Sequence, residues 1–187
     1  MKTLSRRQMA LGGVAGLAVL AGCGNGIGSR GGETIDGRVD STLNFMYDKY
    51  PGTRDLAEKS SGILVMPVVT EAGFIGLGGG FGRGALRVGD VTVDYYSAAR
   101  GSVGFQLGAQ QFAHVLFFMT EEALTNFRRS SGFALGADVE YALSDNGENI
   151  RADTVTSRDP VVAVIFGQAG LFAGATLEGT KYTRIIP

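Results

Sequence analysis

The sequence predicts an α+β fold: an antiparallel, Gly-rich β-sheet or sandwich of about seven strands with two or three short helices. Three observations carry this. Ile35, Val39, Leu43, Met46 and Tyr50 recur at steps of four, four, three and four, one stripe of a helix. From Gly62 the apolar period changes to two. A single capped helix, Thr120 to Arg129, then sits among the strands.

In chain order, residues 1–22 read as an export signal. Lys2, Arg6 and Arg7 form a positive start, and an apolar, small-residue stretch runs from Met9 to Ala21. It is shorter and more Gly-rich than the ~20 apolar residues a stable span needs. It ends in Leu20-Ala21-Gly22-Cys23, which resembles the lipobox cut by lipoprotein signal peptidase. Cys23 is then the lipidation site: its thiol takes a diacylglyceryl group and its freed amine a third chain. Each buried methylene contributes ~0.8 kcal/mol, so two or three chains hold where one would not. The chain has no other cysteine with which Cys23 could form a disulfide. Gly24 stands where an Asp would favour retention at the inner membrane, so the expected location is the outer membrane, facing the periplasm. Ser5-Arg6-Arg7 also resembles the start of a twin-arginine signal. Met9 stands where that motif has Phe, and ordinary Sec export is the expectation.

A Gly-rich tether, 23–33, follows, and 34–187 reads as one domain. The first helix ends at Pro51-Gly52, and Thr53 reads as the N-cap of a second, running to Lys59. The amphipathic stripe of the first helix either packs on the domain or lies in a membrane interface. Its polar residues are mixed and acidic, which favours packing. Ile63 to Val69 is a short apolar strand whose Pro67 implies an edge or a bulge. Between Gly73 and Val88, glycines at 76, 78, 80, 82 and 84 share one strand face, leaving Ile75, Leu77, Phe81 and Ala85 on the other. A bare face admits close approach, either of packed structure or of a ligand. Gly89-Asp90 reads as a hairpin turn into a strand from Thr92 to Gly108. Phe112 to Met119 is the candidate central strand. Thr120 caps the next helix, with Glu121 and Glu122 at its positive end and Arg128 and Arg129 at its negative end. Phe133 to Ala142 alternates as one half-buried strand, 144–157 is a polar loop, and 161–166, 171–177 and 182–186 close the sheet.

Charge and motifs exclude several functions. The chain carries 17 basic and 18 acidic residues, and removing the signal leaves 14 against 18, too acidic for a nucleic-acid partner. Glycine is 30 of 187 residues with only 4 prolines, so the glycines hold structural positions. Gly80-Phe81-Gly82-Arg83-Gly84-Ala85 fits one variant of the dinucleotide fingerprint, but a hairpin follows it instead of a helix N-terminus. Arg100-Gly101-Ser102-Val103-Gly104 approaches a nucleophile elbow with Arg in place of the first Gly. His114, the only histidine, has no cysteine or carboxylate partner and reads as a core histidine with one hydrogen bond. No cofactor, metal site or catalytic group is expected.

Gly62-Ile63-Leu64-Val65-Met66-Pro67, the glycine run, Tyr95-Tyr96-Ser97, Gly104-Phe105-Gln106-Leu107-Gly108-Ala109-Gln110 and Phe118-Met119-Thr120-Glu121-Glu122-Ala123-Leu124 form one ordered series. Asp159-Pro160 and Gly170-Leu171 through Leu177-Glu178-Gly179-Thr180 complete it. In that series the chain, from about Ala57 to Ile186, resembles the SYLF domain, a lipid-binding module. The resemblance implies phospholipid binding without catalysis and does not say which residues touch lipid. The expectation is a non-enzymatic lipid-binding lipoprotein whose partner is a phospholipid membrane. The alternative is a structural lipoprotein that docks an envelope protein.

An acidic domain must bind phosphate through a local basic cluster. The candidates are Arg83 and Arg87, which share one strand face with Phe81, together with Arg100, Lys181 and Arg184. Arg128 and Arg129 serve the helix dipole and rank below them. Solvation, or pairing with Asp138 and Glu140, is the alternative use of Arg83 and Arg87.

Overall fold

The computed structural model describes residues 29–74, 76–104, 108–130, 132–134, 140–143, 160–170, 177 and 179–187. Helix α1 spans Gly31–Lys49 and buries Ile35, Val39 and Met46, with Leu43 partly buried beside them. The stripe therefore packs on the domain. Helix α2 spans Gly52–Lys59. Pro51 stands at its N-cap position with no side-chain cap, so the cap expected at Thr53 is not formed. Thr53 lies one residue inside the helix, where its hydroxyl donates 2.7 Å to the Tyr50 carbonyl.

The strands are β1 Gly62–Phe74, β2 Gly76–Val88, β3 Val91–Gly104, β4 Gly108–Phe118, β5 Phe133–Ala134, β6 Glu140–Leu143, β7 Val161–Gly170 and β8 Lys181–Ile185. They form one eight-stranded sheet in the order β5-β8-β3-β2-β1-β4-β7-β6. All neighbours are antiparallel except β6, which runs parallel to β7. The fold class is α+β as the sequence predicts, and the described strands form one sheet, not a two-sheet sandwich. The strand expected from Phe133 to Ala142 is divided between the two edges of the sheet. Its cause is curvature. A flat sheet of eight strands holds its edges ~34 Å apart, whereas the six residue steps from Ala134 to Glu140 reach at most ~20 Å. The sheet curls into a half-barrel so that one short segment joins both edges.

Pro67 explains the shape of β1. The strand lies in the middle of the sheet, so the edge reading is excluded and the bulge reading holds. Pairing with β2 slips between Val65 and Val68, and pairing with β4 slips between Met66 and Val69. Pro67 sits in the slip, where its missing N–H breaks no ladder bond. The bulge also reverses the alternation: Leu64 and Met66 face inward before it, Val69 after it. Val68 is thereby turned to the outer surface, 40% exposed.

The two faces bury separate cores. The convex face is covered by α1 and α2 over Ile63, Val65, Ala85, Val115, Phe117 and Val164. The concave face holds Leu64, Leu86, Tyr96, Phe118 and Tyr182 under α3, Glu121–Arg129, which inserts Leu124 and Phe127. Thr120 caps α3 as expected, its Oγ1 accepting from the Ala123 amide at 3.1 Å. Every residue from Phe112 to Phe118 is buried, as a strand covered on both faces requires.

The bare glycine face of β2 lies on the concave side and serves packing. A Cβ at Gly84 would collide with the Val65 carbonyl, and one at Gly82 would come within 2.8 Å of the Val68 carbonyl. Gly80 leaves room for a cross-strand rung. Glu71 and Arg100 both pair with Gly80, and over it Arg100 donates 3.2 Å to Glu71, which also accepts from Gln110 at 2.6 Å.

Candidate functional site

Helix α1 crosses β2 above Ala85, with Arg83 on one side of the helix and Arg87 on the other. At 100° per residue its three surfaces separate cleanly. The apolar stripe faces the sheet. On the flank toward the β2–β3 hairpin stand Asp36 and Asp40. Asp36 accepts from the Thr92 hydroxyl and the Tyr95 hydroxyl, each at 2.8 Å, and Asp40 pairs with Arg87 at 2.7 Å. Partial burial and the bond to Asp36 hold the Tyr95 phenol above its ordinary pKa, so it remains a donor. The acids on this flank are thus engaged with the sheet.

The opposite flank carries Thr34, Arg38, Phe45 and Lys49 and no acid. It borders a groove of about 510 Å³ between α1 and the bulge of β1. Arg30, Arg38 and Arg83 line this groove together with Phe81 and Val68. Phe81 is 53% exposed, a large apolar ring held in water beside three guanidinium groups. A shallower apolar groove of about 290 Å³ continues from it across Pro67 and Val68 to Phe45, Phe112 and Phe166. Phe45 stacks on Phe166 with centroids 6.0 Å apart, and the Lys49 ammonium lies 5.6 Å over the Phe45 ring.

The structure brings some of the expected site residues together and separates others. Arg83 and Phe81 line the groove. Lys181 is on their face, on the rung Thr70–Phe81–Ala99–Lys181, two strand spacings or ~10 Å from Phe81. Arg87 is cut off by α1 and paired with Asp40. Arg100 is on the concave face with Glu71. Arg128 and Arg184 both reach Asp94, at 3.1 and 3.3 Å. Cys23 and Asp138 lie outside the described residues, as does the expected loop 144–157. Arg30 and Arg38 were absent from the sequence candidates. The signal for Arg38 was available, since on a helical wheel Arg38, Phe45 and Lys49 fall within about 40° of one another.

Chemically, this arrangement sets anion-binding groups beside an apolar boundary. Guanidinium groups grip phosphate through paired N–H donors and stay charged at any physiological pH. His114 adds no reactive group. It is fully buried, its Nε2 lies 2.8 Å from the Tyr182 hydroxyl, and burial pushes its pKa down to about 3. Among the described residues, no helix is long and apolar enough to cross a membrane.

Residues 99–184 match the family model described as Ysc84, Las17-binding protein actin regulator. The chain is also similar to the SH3 domain-containing YSC84-like protein 1 of Pongo abelii and of Homo sapiens, 25% identical over 125 residues in each case. That alignment covers 65% of this chain and 36% of each relative, so the chain spans about a third of the curated proteins it matches.

Proposed function

We propose that this chain, whose residues 99–184 match the Ysc84 family model, is a non-enzymatic lipoprotein that is anchored through Cys23 and binds phospholipid head groups with a Ysc84-type (SYLF) domain. The observation that carries the reading is the convergence of Arg30, Arg38 and Arg83 on one groove beside exposed Phe81, in a chain that is acidic overall. Net charge opposes an anionic surface, so affinity has to come from local geometry. The three guanidinium groups supply it, and Phe81 supplies the apolar contact that free phosphate does not need. Arg30 lies within the expected tether, 23–33, so the groove lies where that tether would enter the domain. The location that follows is the periplasmic face of the outer membrane. A second reading, docking of an envelope protein, draws on the Las17-binding description of the matching family.

Co-sedimentation of the mature chain carrying Cys23→Ser decides between them. It is expected to bind vesicles containing phosphatidylglycerol, with affinity falling as salt rises. The double variant Arg38→Glu, Arg83→Glu is expected to bind at least tenfold more weakly and with a flatter salt dependence, because fewer phosphates are neutralised. A chain that ignores anionic and zwitterionic vesicles alike overturns the lipid reading and leaves protein docking.

A further inference from the structure

Seven large apolar side chains are substantially exposed among the described residues: Phe45, Val68, Phe81, Val88, Val91, Val93 and Ile186. Three of them, Phe81, Val68 and Phe45, line the two grooves that meet at Pro67 and Val68. They are exposed by 53%, 40% and 48%, and each is held in place by the fold. The bulge of β1 turns Val68 outward, Phe81 is fixed on a central strand, and Phe45 rests on Phe166. Cations border this row along its length: Arg30, Arg38 and Arg83 at one end, and Lys49 at the other. None of the four acids of α1 shares the basic flank. Asp36 and Asp40 stand on the opposite flank in bonds to the sheet. Asp48 lies 4.0 Å from Arg54, and Glu33 is in the first turn on the solvent side.

We infer that this row is an insertion edge. The domain lies on a phospholipid leaflet with the basic flank of α1 at head-group level and Phe81, Val68 and Phe45 below it in the acyl boundary. The leaflet is the one that holds the chain's own anchor. Seven residue steps separate Cys23 from Arg30, a reach of at most ~25 Å, and Arg30 is already a groove residue. A tether this short brings the arginine end of the row to the anchoring surface and keeps it from a second membrane. The partner is thus a bilayer surface bound in cis, and the anchor and the inserted row are two membrane signals on one molecule. The inference rests on the lipid-binding reading above and adds an orientation to it.

The test uses the absence of other cysteines. In the mature Cys23→Ser chain, Phe45→Cys, Val68→Cys and Phe81→Cys each receive an environment-sensitive dye. Val88→Cys and Val91→Cys, at the hairpin beyond the acidic flank, serve as controls. All five positions are exposed, and an unchanged melting temperature checks the fold of each labelled protein. With vesicles of phosphatidylglycerol and phosphatidylcholine in equal parts, the dyes at 45, 68 and 81 are expected to shift to the blue. Acyl-brominated lipid is expected to quench them, and to leave the dyes at 88 and 91 unaffected. Co-sedimentation without quenching at 45, 68 or 81 overturns insertion and leaves head-group binding standing. Quenching at 88 and 91 instead overturns the assigned face. Failure of every labelled protein to sediment with vesicles overturns the lipid-binding reading itself.

Discussion

His114 shows how one buried residue makes stability depend on pH. Its ordinary pKa is 6.5, and burial lowers it to about 3 in the folded chain. Between those values the unfolded chain binds a proton that the folded chain refuses. Its contribution is therefore fully present above pH 6.5 and is lost as pH falls toward about 3, at up to ~1.4 kcal/mol per pH unit. Urea unfolding of the wild type and His114→Gln between pH 6 and 4 checks this: the variant is expected to show the shallower loss with acid. Gly84 makes the opposite kind of demand, for space. Gly84→Ala would drive a methyl into the Val65 carbonyl and is expected to lower stability by ~1–3 kcal/mol. Gly101→Ala, where a Cβ meets nothing within 4 Å, is the matched control and is expected to change little in the same thermal melt.

Among the elements, α1 carries the most information. A hydrophobic stripe alone would allow it to roll on the sheet by several degrees. The bonds from Thr92 and Tyr95 to Asp36, and from Arg87 to Asp40, fix its rotation and so aim Arg38 and Phe45 at the groove. Asp36→Ala removes the acceptor of two hydrogen bonds and is expected to cost about 1–3 kcal/mol in urea unfolding. Vesicle affinity is expected to fall as well, since the basic flank loses its aim. The strand β2 teaches a related lesson. Sequence alternation put Arg83 and Arg87 on one face, and the structure agrees, but the helix lying across Ala85 divides them. Alternation along a strand says nothing about what crosses above it. Helix α3, whose cap and end charges are all local in sequence, was legible throughout. Thr120→Ala is expected to destabilise by about 1 kcal/mol.

For the whole molecule, anchor and domain are expected to act together. In cells, Cys23→Ser should stop lipidation and leave an unprocessed or soluble chain, detected by its size and by fractionation. Membrane association of the unlipidated chain should weaken as salt rises, since salt screens the arginine contacts that act beside the apolar row. Salt-resistant recovery of the variant in the membrane fraction at the processed size would refute lipidation at Cys23. The sequence by itself determined what depends on neighbours along the chain: the apolar stripe of α1, the strand alternation, the cap of α3, and the proline that required a bulge or an edge. Each follows from periodicity or from the backbone chemistry of a single residue. Only the tertiary structure decided what depends on distant segments meeting. Curling divided Phe133–Ala142 between the two edges, the position of β1 made Pro67 a central bulge, and the crossing of α1 separated Arg87 from Arg83 while joining Arg30 and Arg38 to it. Those choices are set by how a twisted sheet closes on itself and where a helix lies across it, and no local pattern encodes either.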